Sequence, residues 1–124
     1  MNSKNVLGTP LQLCNCNPMT GWFRDGSCSS DVRDLGMHTV CAVMTDSFLS
    51  YSKAQGNDLS TPMPQYDFKG LKSGDRWCLC APRWKEAYDD GIAPMIILEA
   101  TDFSTLEIID LEILKEFEYK NIVR

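Results

Sequence analysis

Gly74-Asp75-Arg76-Trp77-Cys78-Leu79-Cys80-Ala81-Pro82-Arg83-Trp84 sets two thiols, two tryptophans and two arginines within eleven residues. Side chains alternate across a strand, so residues two apart share a face. If Arg76 to Cys80 is extended, Cys78 and Cys80 point one way and Trp77, Leu79 and Ala81 the other. Pro82 then suits the first position of a helix, where its missing N–H costs nothing. That helix is predicted to run to about Asp90 and to stop at Gly91, a ready left-handed terminator. Cys80 thereby sits beside a helix N-terminus, whose partial positive charge favours a thiolate. Arg76 and Arg83 add to that effect.

Moving outward, Thr39-Val40-Cys41-Ala42-Val43-Met44 is a continuous apolar, partly β-branched run, as expected of a central strand buried on both faces. Thr45 is a good N-cap, Asp46 suits the first turn of a helix and Gly56 ends it. Gly56 to Gly74 is a long connection, and such loops are often functional. Its Asn57, Asp58, Ser60 and Thr61 are candidate ligand contacts, although any turn uses the same residue types. After the junction helix, Met95 to Ala100 reads as a strand, Asp102 to Thr105 as a turn and Leu106 to Ile109 as a returning strand. Asp110 then caps a last helix carrying Leu111, Leu114 and Phe117 along one side. The first part, to about Leu35, is dense in turn signals and reads as short strands or an irregular cover. The predicted fold is α+β: a two-layer sandwich with helices on one face of a small mixed sheet, whose central strands are Thr39–Met44 and Arg76–Cys80.

A chain of 124 residues is expected to form one domain, residues 1–124, with a real core. Its 44% hydrophobic and 23% charged residues are those of a globular protein. The longest apolar run, Ala93 to Leu98, is far short of a membrane span. The opening Met1-Asn2-Ser3-Lys4-Asn5 lacks the charged and apolar regions of a signal peptide, so a cytoplasmic location is expected. Six cysteines could form three disulfides in a secreted chain, but in a reducing compartment thiols or a metal site are the better expectation. The net charge of −5, concentrated toward the C-terminus, excludes a basic footprint for nucleic acid and a cationic face for lipid. Homo-oligomerisation is left open.

Cys80 and Cys78 are candidate nucleophiles, with Cys41 a further candidate thiol. The sole histidine, His38, is the candidate base, since imidazole accepts a thiol proton near neutral pH. Pairing of the two predicted strands would bring His38 near these sulfurs, about 5 Å separating neighbouring strand axes. The plainer alternative makes the cysteines small core residues and the histidine a hydrogen-bonded structural one. Glu99, on a strand predicted to be buried, is a possible acid–base group or an ion-pair partner of Arg76 or Arg83. Arg76, Trp77, Arg83 and Glu99 join the loop residues as ligand-binding candidates. For zinc the chain offers Cys14, Cys16, Cys28, His38, Cys41, Cys78 and Cys80, but none of the C-x(2–4)-C knuckles that structural sites use, so no metal or cofactor is expected. Serine-hydrolase, Walker and dinucleotide glycine motifs are absent.

Several blocks form a distinctive series: Asn5-Val6-Leu7-Gly8, Thr20-Gly21-Trp22-Phe23-Arg24-Asp25-Gly26, His38 to Thr45, Gly56 to Pro62, Gly70-Leu71-Lys72, Gly74 to Ala81 and Leu98-Glu99-Ala100-Thr101. In that order they resemble the bacterial domain of unknown function 2237 family over nearly the whole chain. The resemblance implies a small cytosolic α+β domain and brings with it no activity or cofactor. It matches the family's recurring thiols to Cys14, Cys28, Cys41, Cys78 and Cys80. Cys16 is particular to this chain, Ser27 stands where members often have cysteine, and Asp102 where they often have histidine.

Two functional classes follow. The first is a small-molecule or protein binding module, in which the Gly56–Gly74 loop and the Trp77/Trp84 region form the surface. The second is a thiol-dependent enzyme or redox protein using Cys80 or Cys78 with His38. A structural zinc protein is a lesser alternative.

Overall fold

The computed structural model describes residues 3–120, so Met1 and Asn2 of the opening stretch lie outside it. Two strands, β1 (His38–Val43) and β2 (Arg76–Cys80), pair antiparallel. Helix α1 (Asp46–Ala54) follows β1, α2 (Ala81–Asp89) follows β2, and α3 (Leu111–Glu116) comes last. The fold is α+β, with helices contacting the strands. Each expected strand-to-helix unit is present: β2 has the expected bounds, and β1 and α2 begin and end one residue earlier than expected. Thr45 caps α1 by accepting from the Phe48 backbone N–H at 3.1 Å, and Pro82 lies in the first turn of α2. Gly91 takes the left-handed conformation, φ 76°, just beyond α2.

The ladder pairs Ala42 with Trp77, Val40 with Leu79 and Cys41 with Cys78. Alternation therefore divides the sheet into two chemically distinct faces. Val40, Ala42, Trp77 and Leu79 join Phe48 and Leu49 of α1 and Trp84 and Ala87 of α2 in the main apolar core. Trp84 is fully buried; its indole N–H donates to Pro94 O at 3.0 Å, and its ring stacks on Tyr88 and meets Phe117 edge-on. Burial removes Trp84 from the surface predicted around Trp77 and Trp84. On the other face lie Cys41 and Cys78, clustered with Cys14, Cys28 and Ala100.

Two strand predictions are corrected. Met95 to Ile97 does run beside β1, with Val43 N–H donating to Met95 O and Ile97 N–H to Cys41 O. Ile96 bridges antiparallel to Ala42 and parallel to Glu118, so the sheet is mixed only through single bridges. From Leu98 to Ala100 the chain turns into a 3₁₀ helix instead of continuing. The Thr101 hydroxyl explains the turn: it donates to Ile97 O at 2.8 Å and accepts from Cys41 N–H at 3.2 Å. Residues Phe103–Glu107, expected to contain a turn and the start of a strand, form a 3₁₀ helix. There the Asp102 carboxylate accepts from Ser104 N–H and its hydroxyl, a local bond that competes with extension.

Before β1, the described residues contain no helix or strand, only single bridges. That segment is fastened to the sheet by side chains. Buried Asn5 donates to Thr9 Oγ1, Pro10 O and Glu99 O and accepts from Leu7 and Thr9 N–H. Two disulfides, Cys14–Cys41 and Cys28–Cys78, tie it to β1 and β2. The expectation of free thiols thus holds only for Cys16 and Cys80. The physical reason is the register, which sets Cys41 and Cys78 opposite each other on the face that the segment covers.

The cap at Thr45 gives a direct test of this architecture. Thr45→Ala is expected to lower unfolding free energy by about 1 kcal/mol, moving the urea midpoint down at unchanged slope.

Candidate active site at the end of the ladder

The ladder slips by one residue between His38 and Val40. Regular pairing would set Thr39 against Cys80; the slip sets His38 there instead. Such irregularities re-aim side chains at strand ends. Here the imidazole comes beside the last residue of β2, the thiol that also stands at the N-terminus of α2.

Gly36 makes room for that approach. A Cβ on it would lie 2.9 Å from His38 Cε1 and 3.3 Å from Cys80 Sγ. Ring and sulfur thus converge on the space that a larger residue would fill. The Cys80 thiol donates to Gly36 O at 2.6 Å. On the ring's far side His38 Nδ1 meets Asp34 Oδ1 at 2.7 Å, while Asp34 Oδ2 accepts the His38 backbone N–H at 2.9 Å. The Asp34 side chain is 1% exposed and the His38 ring 42% exposed. A carboxylate accepts only, so it fixes the proton on Nδ1 of the neutral ring and leaves Nε2 as the basic nitrogen.

Burial pushes the Cys80 thiol above its ordinary pKa; the Arg83 backbone N–H and guanidinium pull the other way, and the Asp34 carboxylate adds to the rise. The expectation that the helix N-terminus would leave a ready thiolate is therefore corrected. The helix does favour the anion, but desolvation of the half-buried sulfur outweighs it. At rest the group is a thiol.

The thiol and imidazole border a pocket of about 460 Å³ lined also by Trp22, Arg24, Asn57, Leu59, Trp77 and Arg83. The Arg24 guanidinium lies 5.1 Å from the centre of the Trp77 ring. Arg83 donates to Gln55 O and to Glu86 Oε1. None of the 17 acidic residues, all of them among the described residues, lines the pocket. In a chain of net charge −5, this hollow is locally cationic.

A family model described as an uncharacterized protein conserved in bacteria, domain of unknown function 2237, matches residues 4–118. The chain belongs to that family. No curated protein matches it.

Within this family member the candidate residues separate clearly. His38, Cys80, Asn57, Trp77 and Arg83 come together at the pocket. Cys41 and Cys78 do not serve as free nucleophiles, because each is buried and disulfide-bonded. Asp58, Ser60 and Thr61 bond mainly to one another: Asp58 accepts from both backbone N–H groups and both hydroxyls, and the Thr61 hydroxyl foremost brings its pKa down to about 2. That is a closed turn on an exposed loop, not a set of free ligand contacts. Arg76 is outside the pocket lining, and its carbonyl accepts from Asn15 Nδ2. Glu99 lies on the 3₁₀ turn, half-buried, with no ion pair to Arg76 or Arg83 among the described residues. Asp34, Gly36, Arg24 and Trp22 escaped the sequence reading. Asp34 precedes His38 by four residues in a segment without helix periodicity, so only the turn signal of the intervening Gly36 hinted at their contact.

The state of the thiol is measurable. In a Cys16→Ser background, the rate of Cys80 alkylation by iodoacetamide should rise with pH along a curve whose midpoint lies above that of an ordinary cysteine. Arg83→Gln removes a charge that favours the thiolate and should move the midpoint higher still. A midpoint below the ordinary value would contradict this electrostatic account.

Proposed function

We propose that the pocket is the active site of a thiol-dependent group-transfer enzyme acting on a small substrate with an anionic group. Cys80 is the nucleophile, His38 the general base and Asp34 the residue that holds the base. The observation that carries this reading is the meeting of a thiol and an imidazole at Gly36, with Nδ1 of that ring facing a buried carboxylate. Nucleophile, base and orienting group are the recurring logic of covalent catalysis.

In the resting site the thiol proton goes to Gly36 O. As substrate arrives, the proton passes to His38 Nε2 and the sulfur attacks the substrate's acyl carbon. The imidazolium so formed is stabilised by Asp34. The bond from the acyl carbon to its leaving group breaks, and the leaving group takes the proton back from the imidazolium. Water or another nucleophile then takes the acyl group from the thioester and restores the thiol. A neutral resting thiol suits this route, because deprotonation is coupled to attack rather than complete beforehand. Arg24 and Arg83 supply charge for the substrate's anionic group, and Trp22 and Trp77 supply apolar walls.

A second reading, a binding module without chemistry, is favoured by that same lining of arginine and tryptophan. One experiment separates them. Incubation with p-nitrophenyl acetate should transfer the acetyl group to Cys80 as a thioester, releasing p-nitrophenol, with the adduct located by peptide mass spectrometry. Cys80→Ser should abolish that adduct, and His38→Gln should slow its formation by about 100-fold. Equal rates in His38→Gln, or acetylation confined to Cys16 and lysines, would overturn the enzyme reading. Stabilisation of the Cys80→Ala variant by benzoate, without Cys80 acylation in the wild type, would support the binding module instead.

A further inference from the structure

A second cluster of chemistry lies on the sulfur face of the sheet, beside the Cys80 site, whose pocket Cys78 also lines. Cys14, Cys28 and Cys78 bring three Sγ atoms within 4.8 Å of one another, all buried. The fourth sulfur, Cys41 Sγ, is bonded directly to that of Cys14. Four sulfurs from four distant points of the chain thus form one knot. A zinc ion with thiolate ligands at about 2.3 Å needs its sulfurs about 3.8 Å apart, and three of these sulfurs already lie within 4.8 Å of one another.

Three of the four cysteines also have backbone hydrogen bonds that do not involve sulfur. Cys41 N–H donates to the Thr101 hydroxyl and Cys78 N–H to the Thr20 hydroxyl. Cys14 N–H donates to Gly26 O at 2.7 Å. Breaking the disulfides would leave these bonds at Cys14, Cys41 and Cys78 in place. The chain also needs a fastener there, because the segment before β1 has no helix or strand of its own among the described residues. A metal bound by all four cysteines performs the same task as two disulfides.

We propose that Cys14, Cys28, Cys41 and Cys78 form a tetrathiolate site for zinc when the chain is reduced, and two disulfides when it is oxidised. The knuckle-free spacing along the sequence hid the site, because the sheet assembles it from residues far apart. Reduction takes two electrons and two protons per disulfide, supplied in a cell by a dithiol that itself becomes a disulfide. The four thiols then release four protons as they bind Zn²⁺, whose oxidation state does not change. Cys16 and Cys80 take no part.

The test uses the full untagged chain under anaerobic conditions. A water-soluble phosphine reduces both disulfides; each phosphine leaves as its oxide with the oxygen of one water, whose protons go to the two thiols. After removal of the phosphine, Co²⁺ is titrated in and then displaced by Zn²⁺. The reduced chain should take up one equivalent of cobalt with the visible absorption of a tetrahedral tetrathiolate site, lose that spectrum to zinc, and retain one zinc through dialysis. The oxidised chain should take up none at these cysteines. Cys28→Ser should lose the tetrathiolate spectrum, whereas the Cys16→Ser/Cys80→Ser double variant should keep it. The comparison of reduced with oxidised wild type requires no variant to fold. A trace of metal in the reduced chain, a six-coordinate cobalt spectrum, or a spectrum lost only in the Cys16/Cys80 variant would overturn the proposal. None of these outcomes bears on acylation of Cys80, so the two sites stand or fall separately.

Discussion

The pairing of two short strands, and the single-residue slip at its end, is the constraint on which the rest of the molecule depends. Pairing Cys41 with Cys78 and Val40 with Leu79 commits one face to sulfur and the other to aliphatic and aromatic packing. Continued without interruption, the same register would set Thr39 against Cys80. The slip instead sets the imidazole against the thiol, while the fully buried Thr39 turns its hydroxyl to that of Thr105 at 2.8 Å. A buried hydroxyl needs such a partner, so the same irregularity satisfies a core residue and assembles a polar site.

The two faces then acquire different dependences. The apolar face is stabilised by burial of Trp84, Phe48, Leu79 and Val40, each 1% exposed or less. The sulfur face is covered by a segment with no helix or strand among its described residues, held by cross-links and by the Asn5 hydrogen bonds. That segment contributes Trp22 and Arg24 to one wall of the pocket, so fastening it also shapes the site. Cross-link chemistry and pocket geometry are coupled through this contact, although Cys80 itself remains a free thiol.

The legible parts of the sequence were those where one local signal decides the outcome. Thr45 as a cap, Pro82 in a first turn, Gly91 as a terminator and the alternation of Trp77, Cys78, Leu79 and Cys80 all carry their meaning within a few residues. The Met95–Ala100 strand failed after Ile97, because the Thr101 hydroxyl engages Ile97 O and Cys41 N–H, a contact sixty residues away in the second case. The turn-rich beginning of the chain offered no periodicity from which to place Asp34, Arg24 or Trp22. Depression of the Cys80 pKa was a sound expectation from the helix terminus alone, but burial of the sulfur depends on tertiary packing and reverses it. The slip at His38 has no signature in composition; it follows from what the neighbouring residues must satisfy once the sheet forms.

Because the chain contains one histidine, the central claim has a direct spectroscopic test. The Hε1 proton of that ring gives a unique resonance, and the nuclear Overhauser effect reads its neighbours. The account predicts a cross-peak between His38 Hε1 and the Cys80 β-protons, alongside the cross-strand contacts of Cys41 with Cys78. Retention of the Cys41–Cys78 contacts with Thr39, and not the imidazole, giving the cross-peaks to the Cys80 β-protons would contradict it.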